Sequence, residues 1–184
     1  MKNRAHIEPK AKRLRRLKRG PPIEGIGTLL NSIANFFNNE ISISPDHHQT
    51  SLLFLGIHAA SLTISEALFG ESGEKGYRAF LENFVDGQTE DKKFSKIAHI
   101  LHDWRNVLAH QWISSIGHEI EYDYKMVEGW KRVKDRIVIN PKIYCECYLQ
   151  AFSSGGRIWQ YGKFLSPKEL GEAKQRIIKK YEDR

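Results

Sequence analysis

The sequence predicts a mainly α protein: a helical bundle, a small β-hairpin late in the chain, and a C-terminal helix. Three observations carry that expectation. Apolar residues recur at helical spacing through most of the chain up to about residue 112. Glycine and proline separate those stretches, and after Gly117 the texture changes to the alternation of strands. At 184 residues the chain is long enough for one domain with a proper core and short for two.

Residues 1–22 read as a basic, flexible tail. The first 20 residues hold nine Lys/Arg against the single acid Glu8, whereas the remaining 164 hold 20 basic and 21 acidic groups. The net charge of +7 therefore belongs to the tail, and the body is close to neutral. "KAKRLRRLKRG" suits a polyanion such as RNA or DNA, with Arg13, Arg15, Arg16, Lys18 and Arg19 as the nucleic-acid-binding candidates. Anionic lipid fits less well, because Leu14 and Leu17 make a poor apolar face. A merely solvated arm is the plain alternative. The tail leads into "GPPIEGIG" and not into an apolar run, so no export signal is read and a cytoplasmic setting is expected.

A bundle is expected over residues 23–116. Ile26, Leu29, Leu30, Ile33 and Phe37 lie on one helical face within 23–40. A second, more apolar helix runs over 51–68; His58, Glu66 and several hydroxyls argue against a membrane span. Gly70, Gly73 and Gly76 interrupt, and "YRAFLENFV" forms a short third helix ended by Gly87. Asp91 opens a long fourth helix through about Trp112. In the extension, 117–184, "HEIEYDYKM" and "KDRIVIN" pair across "VEGWKRV" as a hairpin. Asn140 and Pro141 start a helix through Phe152, "SSGGRIWQYG" is loop, and Ser166, Pro167 and Glu169 open the terminal helix with a capping box. Cys145 and Cys147 are two apart in a helix, face different sides, and are expected to pack without pairing.

The chemistry concentrates in "HILHDWRNVLAHQW", residues 99–112. On a helical wheel Ile97, Ile100, Leu101, Trp104, Val107 and Leu108 share an arc of about 120°. The opposite arc holds His99, His102, Asp103, Asn106 and His110 within about 100°, with Arg105 on the flank beside Ala98 and Ala109. A solvated face is normally rich in Lys and Glu; this one is not. His99 and His102 could begin a metal site, but Arg105 in the next turn would repel a cation, so neither metal nor cofactor is expected. A guanidinium that forks onto phosphate oxygens beside an imidazole that carries protons is the better reading. Arg105 and His110 are about 140° and roughly 7.5 Å apart on one straight helix, so two copies crossing at a two-fold axis would bring them over one phosphate. Ala98 and Ala109 would then sit near that interface.

"RNVLAH", Arg105 through His110, resembles the Arg-x4-6-His signature of the HEPN superfamily (higher eukaryotes and prokaryotes nucleotide-binding domains), including a polar residue directly after the Arg. The likeness in the order of helices covers roughly residues 23–115. It implies a helical bundle, a homodimer through the motif helices and, in many members, metal-independent RNA cleavage to a 2′,3′-cyclic phosphate and a 5′-OH. Arg105 would bind the scissile phosphate, His110 would act as general base or acid at the 2′-OH, Asn106 would assist, and His102, Asp103 and His99 would support them. Toxins and defence effectors belong to this superfamily, and a neutralising antitoxin is an implied partner. Where some such toxins carry a tyrosine two residues after the His, this chain has Trp112. Other members bind nucleotide or nucleic acid without cutting, or mediate assembly, and that alternative stays open.

Overall fold

The computed structural model describes residues 25–43, 49–86, 93–111 and 120–182; the basic tail, Asp91 and Trp112 lie outside them. Among the described residues six α-helices form the bulk and a small sheet follows the fourth. Helix α1 is Ile26–Phe36, continued by a π turn at Phe37–Ile41. Helix α2, Thr50–Phe69, runs through the middle and packs against all the other helices. It is apolar and long enough to cross a membrane by composition alone, yet here its Leu53, Ile57, Ile64 and Leu68 are buried inside the bundle.

Of the three glycines expected to interrupt the chain, only Gly70 ends a helix, taking the left-handed conformation (φ 70°) that closes α2. Helix α3 starts at Gly73, spans Gly73–Phe80 and contains Gly76. A side chain at Gly76 would drive its Cβ into the Glu71 carbonyl, and Ser65 Oγ donates to the Gly76 carbonyl at 2.5 Å. This glycine admits close packing of α3 on the end of α2; it breaks nothing. A π turn, Leu81–Val85, follows. The chain then returns through a 3₁₀ turn, Phe94–Ile97, into α4, Ala98–Gln111.

The late strands differ from a single hairpin. Strands β1 (Ile120–Tyr122), β2 (Trp130–Val133) and β3 (Arg136–Ile139) form a sheet in the order β1-β3-β2. The hairpin is β2 with β3, in the register Trp130↔Ile139, and β1 pairs with β3 in parallel, Ile120↔Ile137. "WKRV", expected in the connection, is itself a strand. The chain therefore reverses once more between β1 and β2, which sets β1 parallel to β3.

Helix α5, Pro141–Phe152, is capped by Asn140, whose side-chain Oδ1 accepts from the backbone N–H of Lys142 at 2.9 Å and Ile143 at 3.3 Å. Its Tyr144, Tyr148 and Phe152 face inward and complete the core of the bundle. Phe37 stacks on Phe152 at 4.6 Å, and Phe54 stacks on Tyr144 at 4.9 Å. The hydroxyls of Tyr77, Tyr144 and Tyr148 meet in the interior, with Ser61 Oγ donating to Tyr148 at 3.2 Å. Mutual hydrogen bonding offsets the burial of these three phenols, and burial raises their pKa values, that of Tyr77 to about 12. Cys145 is buried and donates its thiol to the Ile41 carbonyl, Cys147 is half-buried, and the two form no disulfide with each other. "SSGGRIWQYG", expected as loop, contains most of a 3₁₀ segment, Arg157–Lys163. Helix α6, Pro167–Glu182, opens on the Ser166–Glu169 box and lays Ile177 against Leu29 and Ala67. Its Arg176 donates to the Ala67 and Leu68 carbonyls at the end of α2, at 3.1 and 2.8 Å.

Candidate functional site

Helix α4 is fixed on its apolar side. Leu101, Trp104 and Leu108 are buried, as the wheel requires, and Trp104 Nε1 donates to the Tyr122 hydroxyl of β1 at 2.8 Å. Its leading 3₁₀ turn is pinned by Asp86, whose carboxylate accepts from the Ser95 backbone N–H at 3.1 and 3.4 Å. Burial raises the Asp86 pKa, with the Ser95 hydrogen bonds opposing. The register of the helix, and with it the direction of its polar side chains, is thus held at its start and at its middle.

The polar side is not uniform. His99 and Asp103 are exposed and face outward from the bundle. His102, Arg105 and Asn106 are half-buried. Ala98, expected at an interface with a second copy, is wholly buried in the core of its own chain. The tight 3₁₀ turn before it sets the phase of the helix so that this small residue faces inward. Ala109 is exposed. His110 is placed on α4 by its backbone, while its side chain lies outside the described residues, as do Arg13, Arg15, Arg16, Lys18 and Arg19.

A residue that the sequence did not single out sits opposite. His58 of α2 is 1% exposed, and its Nε2 lies 3.0 Å from His102 Nδ1, within a hydrogen bond. Its ring packs on Tyr77 with 4.3 Å between centroids. The His58 pKa is pushed down to about 3, first by burial and then by the positive charges of His102 and Arg105. His58 is therefore neutral at any physiological pH. A signal for it existed: His58, Ser61 and Ser65 recur at i, i+3 and i+7 of a helix otherwise apolar on that face.

Arg105 completes the cluster. Its Nη1 donates to Asn106 Oδ1 at 2.9 Å, and its Nε is buried with no hydrogen-bond partner. Among the described residues no carboxylate pairs with it. Glu74 of the neighbouring helix α3 is engaged by Arg78 at 2.8 Å, and that bond holds its carboxyl below the usual range, with lesser help from the charges of His99 and His102. Among the described residues no three His, Cys, Asp or Glu side chains cluster as metal ligands would. What the arrangement offers is an uncompensated cation beside a fixed imidazole pair, a receptor for an anion with proton carriers at hand.

The fold defines a mainly helical protein with a small late sheet. Comparison with protein-family models, with curated proteins and with solved structures gives no match.

Proposed function

We propose that the protein is a metal-independent endoribonuclease of the HEPN type, acting in the cytoplasm as a toxin or defence effector. The observation that carries this reading is the state of Arg105. Half-buried guanidinium groups are normally paired: Arg176 bonds the carbonyls at the end of α2 and lies 3.8 Å from Glu172. Arg105, by contrast, has among the described residues only the Asn106 amide, which orients it without cancelling its charge. A phosphate would supply the missing anion, and the planar fork suits two of its oxygens.

On this reading Arg105 holds the scissile phosphate and spreads the charge that develops on it. His110 takes the proton of the ribose 2′-OH, the 2′-oxygen attacks phosphorus, and the bond to the 5′-oxygen breaks. The active unit is a homodimer through α4, with Ala109 at the contact. The basic tail lends affinity for the RNA backbone, and an antitoxin that covers the site is the expected regulator.

The test is cleavage of defined RNAs by the purified full chain in EDTA. Wild-type protein is expected to yield 2′,3′-cyclic phosphate ends. Arg105→Ala and His110→Ala should each lower kcat by about 10²–10⁴-fold, with unfolding midpoints close to wild type. A wild-type protein that binds RNA without cutting it would instead make this a binding module. An Arg105→Ala variant that cuts normally would remove Arg105 from the site.

A further inference from the structure

The HEPN reading gives His110 the proton of the 2′-OH, yet cleavage to a cyclic phosphate needs a second proton transfer, to the departing 5′-oxygen. We propose that His102 is the second proton carrier, the general acid that protonates the 5′-oxygen, and that buried His58 positions it. This inference rests on the ribonuclease reading and names a catalytic residue and a positioning residue that the Arg-x4-His pattern does not contain.

Three observations lead to it. First, His102 precedes Arg105 by three residues, about 60° round the helix and roughly 4.5 Å along it, so the two are surface neighbours on one chain. His110 is two positions further out of phase. A phosphate held by Arg105 is therefore within reach of His102 of the same protomer.

Second, the His102 ring is anchored at one edge. Its Nδ1 meets His58 Nε2 at 3.0 Å, and the two nitrogens of an imidazole lie on different edges of the ring. With Nδ1 tied inward to a residue only 1% exposed, Nε2 is the atom left for substrate. This is the layout of a proton carrier held by an orienting partner. Because His58 stays neutral, its Nε2 lone pair can accept from the Nδ1–H of a cationic His102, which then has Nε2–H to give.

Third, His58 is a costly residue for its place. Its Nδ1 is buried without a partner, while Leu53, Phe54 and Ile57 beside it in sequence fill the core. A leucine would pack there with no stranded nitrogen. The charged and titratable groups around the pair are Glu74, Tyr77 and Arg78 on α3 and His99 and Arg105 on α4. Glu74 is held by Arg78 and so does not serve as the orienting acceptor in place of His58.

The step balances without any further reactant. His110 gains the 2′-OH proton, the 2′-oxygen forms its bond to phosphorus, the bond from phosphorus to the 5′-oxygen breaks, and His102 Nε2 gives its proton to that oxygen. Exchange with water resets both imidazoles.

The experiment compares two substrates: a defined RNA, and a nucleoside 3′-(4-nitrophenyl) phosphate, whose leaving group departs without a proton. His102→Ala should lose about 10²-fold or more in kcat on RNA, lose the limb of the pH–rate profile that reports the acid, and fall only a few-fold on the nitrophenyl ester. His110→Ala should stay impaired on both. His58→Leu should keep or raise the unfolding midpoint while kcat on RNA drops about ten-fold at little change in KM, and His58→Gln, whose amide oxygen can accept from His102, should recover most of it. Because His102 is only half-buried, its alanine variant tests the acid whether or not the core variants fold. Equal losses on both substrates for His102→Ala, or normal RNA cleavage by it, would overturn the inference while leaving the ribonuclease reading intact. A wild-type protein inert on both substrates would overturn that reading and this inference with it.

Discussion

A histidine kept neutral in a core couples folding to acidity. The His58 pKa is about 3 in the folded chain and ordinary once unfolded, so between those values the unfolded state binds the extra proton. Stability from this residue is complete above about pH 6.5 and is lost as pH falls towards 3, with a slope of up to about 1.4 kcal/mol per pH unit. Asp86 works the other way, because its raised pKa lets the folded state hold a proton more tightly. The clean measurement is thus a difference. Urea unfolding of wild type and His58→Leu from pH 7 to 4 should show the variant losing less stability on acidification; parallel curves would mean that His58 is not buried neutral. At this scale the sequence was half legible. Arg105, Asn106 and His102 stood out because four or fewer residues separate them on one helix. His58 did not, because its partner is 44 positions away and only the packing of α2 on α4 brings the rings together.

Among the elements, α5 shows how a single side chain can join two pieces of structure. Asn140 is 3% exposed and does more than cap: its Nδ2 donates to the carbonyls of Met126 at 2.6 Å and Tyr124 at 3.4 Å, tying the turn after β1 to the start of the helix. Asn140→Ala should cost about 2–3 kcal/mol in urea unfolding, the cap plus a buried carbonyl left unpaired. Asp is ordinarily as good a cap as Asn, yet Asn140→Asp should be no better than Ala here, since a carboxylate has no N–H for Met126 and would face its carbonyl. An Asp variant as stable as wild type would show that only the cap matters. The same cap is why α5 was legible from Asn140 and Pro141, as α6 was from Ser166 and Glu169. The sheet was less legible because short strands carry too few residues to fix their pairing, so alternation located β1 and β3 without revealing that β2 lies at β3's other edge. Gly76 misleads for a similar reason: a glycine required by a close approach looks, in sequence, like those required by a turn at Gly70 and Gly73.

For the whole molecule, the spacing of Arg105 and His110 asks for a second copy. With Ala98 inside the core, Ala109 is the small residue left exposed on α4 for a close helix contact. Ala109→Phe should shift the protein from dimer to monomer in sedimentation and lower RNA cleavage in step, and wild-type activity per protomer should fall on dilution below the dimer Kd. A monomer with undiminished specific activity would dispose of the composite site. The order of elements along the chain also governs when the core matures. Tyr144, Tyr148 and Phe152 fill the centre of the bundle, and Ala173 and Ile177 close its flank, although all five follow the motif helix in the chain. On a ribosome α4 leaves the exit tunnel well before these residues do. Until α5 follows, Phe37, Phe54, Phe80 and Tyr77 lack their stacking and hydroxyl partners from Tyr144, Tyr148 and Phe152. The stacked centre of the bundle around α2 is consequently complete only once α5 has followed α4.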